Sequence, residues 1–382
     1  VATSPYYSVA DYGVVGDGTT DDSHAIRLAI TDAAPKGGIV FFPSGRYFVR
    51  SSLTVPSGLT LEGAGWNTPG SETNVFTGSW ILVEADAGFS PVTVLGSSGA
   101  VRNLAFNVTN QSKTGPPANV QPMIIVTGAN VLIEDVFLYN PYDGIYVYGT
   151  GRAVIRRIFG QPLRYGVKID YSQDTNYIEG IHFWPYWQGS STDAGKYQRE
   201  YGTAISLFRC DNPHISNIFA SNYNTGLSMA TSSTGIPHKV HLANADFDDC
   251  VTGIHVACAS TKPDSLSIQM ANVTMQAPEG APATSYGVWV EAGPASTVIQ
   301  ASNLRLTGCG ASAVRIEANN VLFFGENVFL EDWGKANPAS EGFSIAPGCA
   351  ASIAYLGLGF YYTGTGRPYS PGPQFRRVEV AP

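Results

Sequence analysis

Residues 129–149 read ANVLIEDVFLYNPYDGIYVYG, and residues 152–172 read RAVIRRIFGQPLRYGVKIDYS. Aligned on Gly144 and Gly166, which open the last short strand of each segment, both show the same apolar alternation and a bend residue nine positions upstream. Six further units follow in the same register, from NYIEGIHFWPYW with GTAISLF to LFFGENVFLEDWG with GFSI. Self-similarity of this kind marks stacked architectures.

The bend column reads Asp135, Arg157, Gly180, Asn217, Asn244, Asn272, Asn303, Asn327. Five consecutive Asn form an expected ladder, because stacked amides hydrogen-bond to one another where the chain must turn. The next inward column is Val136, Ile158, Ile181, Ile218, Ala245, Val273, Leu304, Val328. The last strand supplies two more apolar columns, from Ile145 and Val147 to Phe343 and Ile345, and strict alternation puts them in one continuous core. The expected fold class is all-β: a right-handed, single-stranded parallel β-helix with about three short strands per coil, stacked about 4.8 Å apart.

Composition agrees. The chain has 382 residues, of which only 14% are charged against about 25% in ordinary globular proteins, with 42 Gly and 12% aromatics. The net charge of −8 and the absence of a Lys/Arg cluster exclude the usual nucleic-acid binder. No apolar run reaches the roughly 18 residues of a membrane span, so no membrane insertion is expected. The N-terminal VATSP has no signal-peptide pattern, and the reading is that any export signal was removed or never present. The five cysteines show no CxxC spacing and read as small buried hydrophobes. No metal or other cofactor is called for, since no His/Cys cluster or calcium-loop motif occurs.

The opening differs from the coils. DYGVVGDGTTDDSHAIRLAITDAA puts Asp21 or Asp22 at a helix N-cap, with Ala25, Ile26, Ala29 and Ile30 on one face. This is the one convincing helix. With the GGIVFFPSGRYFV that follows, it resembles the start of the pectate-lyase-like β-helix superfamily, in which a helix caps the first coil. That resemblance implies a polysaccharide-degrading enzyme, since the superfamily holds polygalacturonase-like hydrolases, polysaccharide lyases and phage tailspike depolymerases. The polygalacturonase signatures NTDG, GHG and RIK are absent. The expected organisation is a cap over 1–50, a β-helix over 51–362 and a tail over 363–382.

In enzymes similar to this one the substrate groove crosses the sheet of GIYVY equivalents, beneath the loops that precede it. Those loops include 185–201, 277–286 and 334–341, and long loops on one side of a repeat usually carry function. Outward positions on that sheet are Tyr146 and Tyr148, Lys168 and Asp170, His255, Trp289 and Glu291, Arg315 and Glu317. Glu291 and Glu317 align on adjacent coils with backbones about 5 Å apart, a spacing compatible with glycosidase carboxylates. The expected catalytic residues are Glu291, Glu317 and Asp170. Lys168, Trp184, Tyr186, Trp187, His255, Trp289 and Arg315 are the expected sugar contacts, because aromatic faces stack on pyranose C–H groups and charged groups bind hydroxyls. The competing readings are a surface cation–π pair of Trp289 with Arg315, acids paired with nearby bases, and an insertion folded onto its own aromatics.

A rival patch on the third sheet holds His182, Trp184, Asp246, Asp248, Arg305 and Glu331, on a face expected to lack overhanging loops. Phe137, Phe159, Phe219 and Phe329 face outward there and read as a packing stripe for another chain.

The functional expectation is an endo-acting glycoside hydrolase of tailspike type, homotrimeric, extracellular or virion-associated, with a polysaccharide or oligosaccharide as substrate. A lyase of the same fold would instead use Lys168, Arg315 or His255 as base beside a uronate carboxylate. A noncatalytic glycan-binding β-helix is the third reading.

Overall fold

The computed structural model describes residues 6–69, 75–260, 263–357, 361–363, 366–369 and 374–377. The tail expected over 363–382 therefore falls for the most part outside the described residues. Contacts divide the chain into two compact units, Val1–Gln198 and Arg199–Pro382. Each is a stack of parallel strands, and the architecture is the parallel β-helix anticipated from the alignment.

In the second unit the bend column forms the ladder. Asn244 Nδ2 donates to Asn217 Oδ1 at 3.1 Å, Asn272 to Asn244 at 2.9 Å, Asn303 to Asn272 at 2.8 Å and Asn327 to Asn303 at 2.6 Å. All five backbones are left-handed, with φ between 51° and 55°. Asn tolerates that conformation better than other residues with a Cβ, so the column follows from backbone sterics as well as amide pairing. In the first unit the same position is held by Asp135 and Arg157, both left-handed and joined by an ion pair at 2.7 Å.

Strand pairing skips the bend residue itself and resumes in register on either side. In the second unit single strands such as Ser265–Gln276 and Ser296–Thr307 run across it, so those coils have one long bent strand and one short strand, while the two coils before them add a short strand each, Cys210–Asp211 and Pro237–His238. The short strands pair in the register of the apolar columns, Ile254 with Val288 and Val288 with Val314, and all three are buried. The Gly that opens them is also explained. A Cβ on Gly144 would lie 2.4 Å from the Gly166 carbonyl oxygen of the next coil, and one on Gly253 would lie 2.7 Å from that of Gly287.

The capping helix α1 spans Ser23–Ala33 and buries Ile26, Ala29 and Ile30. Asp22 holds the N-cap position without a side-chain cap bond. Its carboxylate instead accepts the backbone N–H groups of Val15 and Gly16 at 2.8 and 3.1 Å, tying the preceding loop to the helix start. All five cysteines are buried and free.

The expectation of a single helix is corrected by α2, Asp193–Tyr201, within the 185–201 insertion. Thr192 starts it, its hydroxyl accepting from Gly195 N at 3.2 Å. The exposed Phe stripe is corrected for the first unit. Phe137 is fully buried beneath Trp66, which stacks on it at 4.9 Å and also covers Phe159. The segment carrying Trp66, together with Tyr186, overhangs this face in the first unit, contrary to the expectation of no such loops.

Candidate functional site

Four consecutive short strands of the second unit bring His255, Trp289, Arg315 and Ser344 side by side in one outward column. His255 and Trp289 stack face to face, ring centroids 4.4 Å apart and planes 10° apart. Tyr286, which the sequence reading did not single out, lies against Trp289 at 5.2 Å. Burial is the main cause that raises the Tyr286 phenol above its ordinary value, reinforced by Glu317.

The two glutamates flank this column on the C-terminal side. Glu291 Oε2 lies 2.8 Å from His255 Nε2, and its side chain is 48% exposed. Glu317 is held more tightly. Arg315 Nε and Nη2 donate to its Oε1 at 3.0 and 2.9 Å, and Trp289 Nε1 donates to its Oε2 at 3.0 Å. Arg315 is itself anchored by Nη1 on the Ser344 hydroxyl at 2.8 Å, and Ser344 donates to Glu341 at 3.2 Å. Glu341 lies at the end of the 334–341 loop, so that loop helps to fix the site. The acids thus have basic partners, as the competing reading held. Trp289 stacks on His255 and donates to Glu317, so its neighbours differ from the cation–π pair with Arg315.

Chemically the arrangement is a fixed aromatic platform with one carboxylate oriented by a fork and an indole N–H, and a second joined to an imidazole. Three hydrogen bonds orient the Glu317 carboxylate and leave lone-pair capacity for a substrate.

In the first unit the outward residues gather differently. Lys168 Nζ lies over the Tyr146 ring at 4.6 Å and the Tyr165 ring at 5.5 Å. Burial is the largest influence on its ammonium and pulls it below its ordinary range, against the opposing pull of Asp170 and Asp143. Tyr146 is pushed up to about 12 by burial and by Asp170. Asp170 is only 7% exposed and accepts the Tyr171 backbone N–H at 2.8 Å. The expectation of a solvent-facing acid there is corrected: the tyrosines that crowd this strand cover it. Arg164, ion-paired with Asp143, lies over the rings of Tyr142 and Tyr165, and Tyr142 is hydrogen-bonded to Tyr197 of α2. Of these, Tyr197 was weighed only as one of the insertion residues, and Arg164, Asp143, Tyr142 and Tyr165 were not singled out from sequence, although Asp143 and Tyr165 share one register position.

The insertion aromatics separate. Trp184 is 44% exposed. Tyr186 is half-buried, edge-on to Phe137, with its hydroxyl 2.9 Å from His182 Nδ1. Trp187 is corrected from an exposed sugar contact to a residue only 8% exposed, packed with Trp80, Phe137 and Tyr139. On the third sheet, burial raises the carboxyls of Asp246 and Asp248. Among the described residues, no group of three or more His, Cys, Asp or Glu is placed to hold a metal ion, and no helix is long and apolar enough to cross a membrane.

Comparison with known proteins bears on the fold. Residues 6–94 match the family described as rhamnogalacturonase A/epimerase, pectate lyase-like. The A-module of the Azotobacter vinelandii mannuronan C-5 epimerase AlgE4 superposes with a TM-score of 0.65 at 16% identity, covering 98% of this chain and 100% of that one. The fold is the pectate-lyase-like parallel β-helix. Within it, the plasmin and fibronectin-binding protein A of Streptococcus pneumoniae is 26% identical over 288 residues, covering 64% of this chain and 40% of the relative. The tail spike protein of Shigella phage Sf6 is 35% identical over 86 residues, 21% of this chain and 14% of its own length. The chain thus spans less than half of either relative.

Proposed function

We propose that this β-helix binds an extended glycan across the His255–Trp289 platform and hydrolyses it within the chain. The observation that carries the reading is that two carboxylates, Glu291 on His255 and Glu317 on Trp289, flank one stacked aromatic surface. Backbones about 5 Å apart suit the short carboxyl separation of retaining glycosidases. In this reading Glu317, oriented by Arg315 and Trp289, attacks the anomeric carbon, while Glu291 gives its proton to the departing glycosidic oxygen. Water then enters, Glu291 takes its proton, and the bond to Glu317 breaks, so one water is consumed per cleavage. The likeness to a phage tail spike protein supports a virion or extracellular setting; a surface glycan as substrate and a homotrimer belong to the same proposal.

A lyase is the second reading, favoured by Lys168. An ammonium lowered by burial is closer to acting as a base at neutral pH, and Tyr146 beside it stays protonated and able to donate.

The test incubates the protein and its Glu291→Gln and Glu317→Gln variants with bacterial surface and plant polysaccharides, reading new reducing ends. Loss of about 100-fold or more in both variants supports the hydrolase reading. Unchanged cleavage in both removes these residues from it. Cleavage lost only in Lys168→Met, with products absorbing in the ultraviolet, moves the reaction to the lyase. Glycan binding without turnover by the parent protein leaves a noncatalytic binder.

A further inference from the structure

The first unit contains a cavity of about 420 Å³ that shares only Trp187 with the residues discussed above as sugar contacts. Its size falls within the roughly 300 to 1,000 Å³ of small-molecule sites. One wall is aromatic, made by Phe76, Tyr139 and Trp187. Tyr139 is 3% exposed and Trp187 8% exposed, yet among the described residues neither the Tyr139 hydroxyl nor the Trp187 indole N–H has a hydrogen-bond partner. Neither atom is itself sealed from solvent, so each offers a free donor at the cavity wall. Burial raises the Tyr139 phenol, which keeps its proton in place for donation.

The remaining lining has a consistent chemistry. Asn107 and Asn110 present amides that make no side-chain hydrogen bond to the described residues. Lys113 and Arg46 supply two cations, and Arg46 spends only Nη2 on the Asp17 carbonyl, at 2.7 Å. Among the described residues no carboxylate lines the cavity, in a chain whose net charge is −8. An aromatic wall accepts the C–H face of a pyranose, amides pair with ring hydroxyls, and two cations favour a carboxylate.

We propose that this cavity is a binding site for one carboxylated pyranose, a hexuronate unit. With no carboxylate or imidazole in its described lining, it holds the sugar and does not cleave it. It is separate from the platform of the second unit, and its occupancy does not depend on turnover there.

The test is titration calorimetry and saturation-transfer NMR of the full chain with D-glucuronate and with D-glucose, which lacks the carboxylate. D-Glucuronate is expected to bind, and D-glucose to bind about tenfold more weakly. Tyr139→Phe removes one hydroxyl without changing the wall, and Lys113→Met removes one exposed cation. Each is expected to weaken D-glucuronate about 5- to 10-fold at an unchanged thermal midpoint. Absence of D-glucuronate binding, or equal binding by the parent and both variants, overturns the proposal. Neither result alters the reducing-end assay on Glu291 and Glu317, so the two readings fail independently.

Discussion

Replacing Asn272 separates the two reasons for the ladder. Its side chain donates to Asn244 at 2.9 Å and accepts from Asn303 at 2.8 Å, and its backbone sits at φ 55°. Both bonds are solvent-exposed, so each contributes near the low end of the usual range, about 0.5 kcal/mol, and the freed neighbours rehydrate without a burial penalty. Ala loses about 1 kcal/mol of bonding and adds about 1 kcal/mol for a Cβ in the left-handed region, about 2 kcal/mol in all. Gly loses the same bonding, and its backbone freedom in the unfolded chain roughly offsets the strain it avoids, leaving a cost of about 1 kcal/mol. Gly should therefore be more stable than Ala by about 1 kcal/mol, the reverse of their order in an ordinary strand. Urea unfolding followed by circular dichroism reads this as a midpoint difference of about 0.3 M for an m-value of about 3 kcal/mol/M. If Ala matches or exceeds Gly, backbone conformation is not what selects Asn in this column.

Gly144→Ala forces a Cβ toward the Gly166 carbonyl and should cost about 1 to 3 kcal/mol, read by the same unfolding assay. Arg315→Lys keeps the charge but loses the fork on Glu317; about a tenfold fall in kcat on a cleaved glycan is expected, with a normal thermal midpoint. Burial, and then the His241 ring stacked at 4.5 Å, lower His214 below its ordinary value of 6.5. The unfolded chain therefore takes up this proton first, and stability should fall as pH drops below 6.5, levelling off below the folded value. His214→Gln should flatten that part of the stability profile between pH 7.5 and 5.

The fold was legible because its constraints repeat. A left-handed bend recurs in every coil of the alignment, and only a few residue types suit it, so Asn217 to Asn327 stand out without any structure. The Gly144 and Gly253 positions were legible for a related reason, since the neighbouring coil's carbonyl leaves no room for a Cβ. Register also put Trp289 beside Arg315 as read, because strand pairing fixes which outward residues become neighbours, whereas Glu291 falls at a register shift in its strand.

What register does not fix is what covers a strand. Trp66 and Trp187 come from irregular segments outside the repeat, and they turn an outward Phe137 and an apparent sugar platform into core. Asp170 was misjudged because register names the tyrosine beside it on the adjacent strand, Tyr148, without giving how far that sheet buries the acid. The helix α2 left a faint signal, Thr192 and Asp193 ahead of Lys196 and Arg199, masked by aromatics that invited a different reading. The cavity beneath Trp187 left none, because its walls come from segments far apart in sequence.

The central claim, that the outward face of the second unit adds water across a glycosidic bond, is tested most directly by mass measurement of glycan fragments formed in ¹⁸O-labelled water. The account predicts one ¹⁸O on every newly formed reducing end, the fragment that keeps the original reducing end staying unlabelled, with cleavage by the parent protein and none by Glu317→Gln. New reducing ends without the label, or labelled ones still formed by Glu317→Gln, would contradict it.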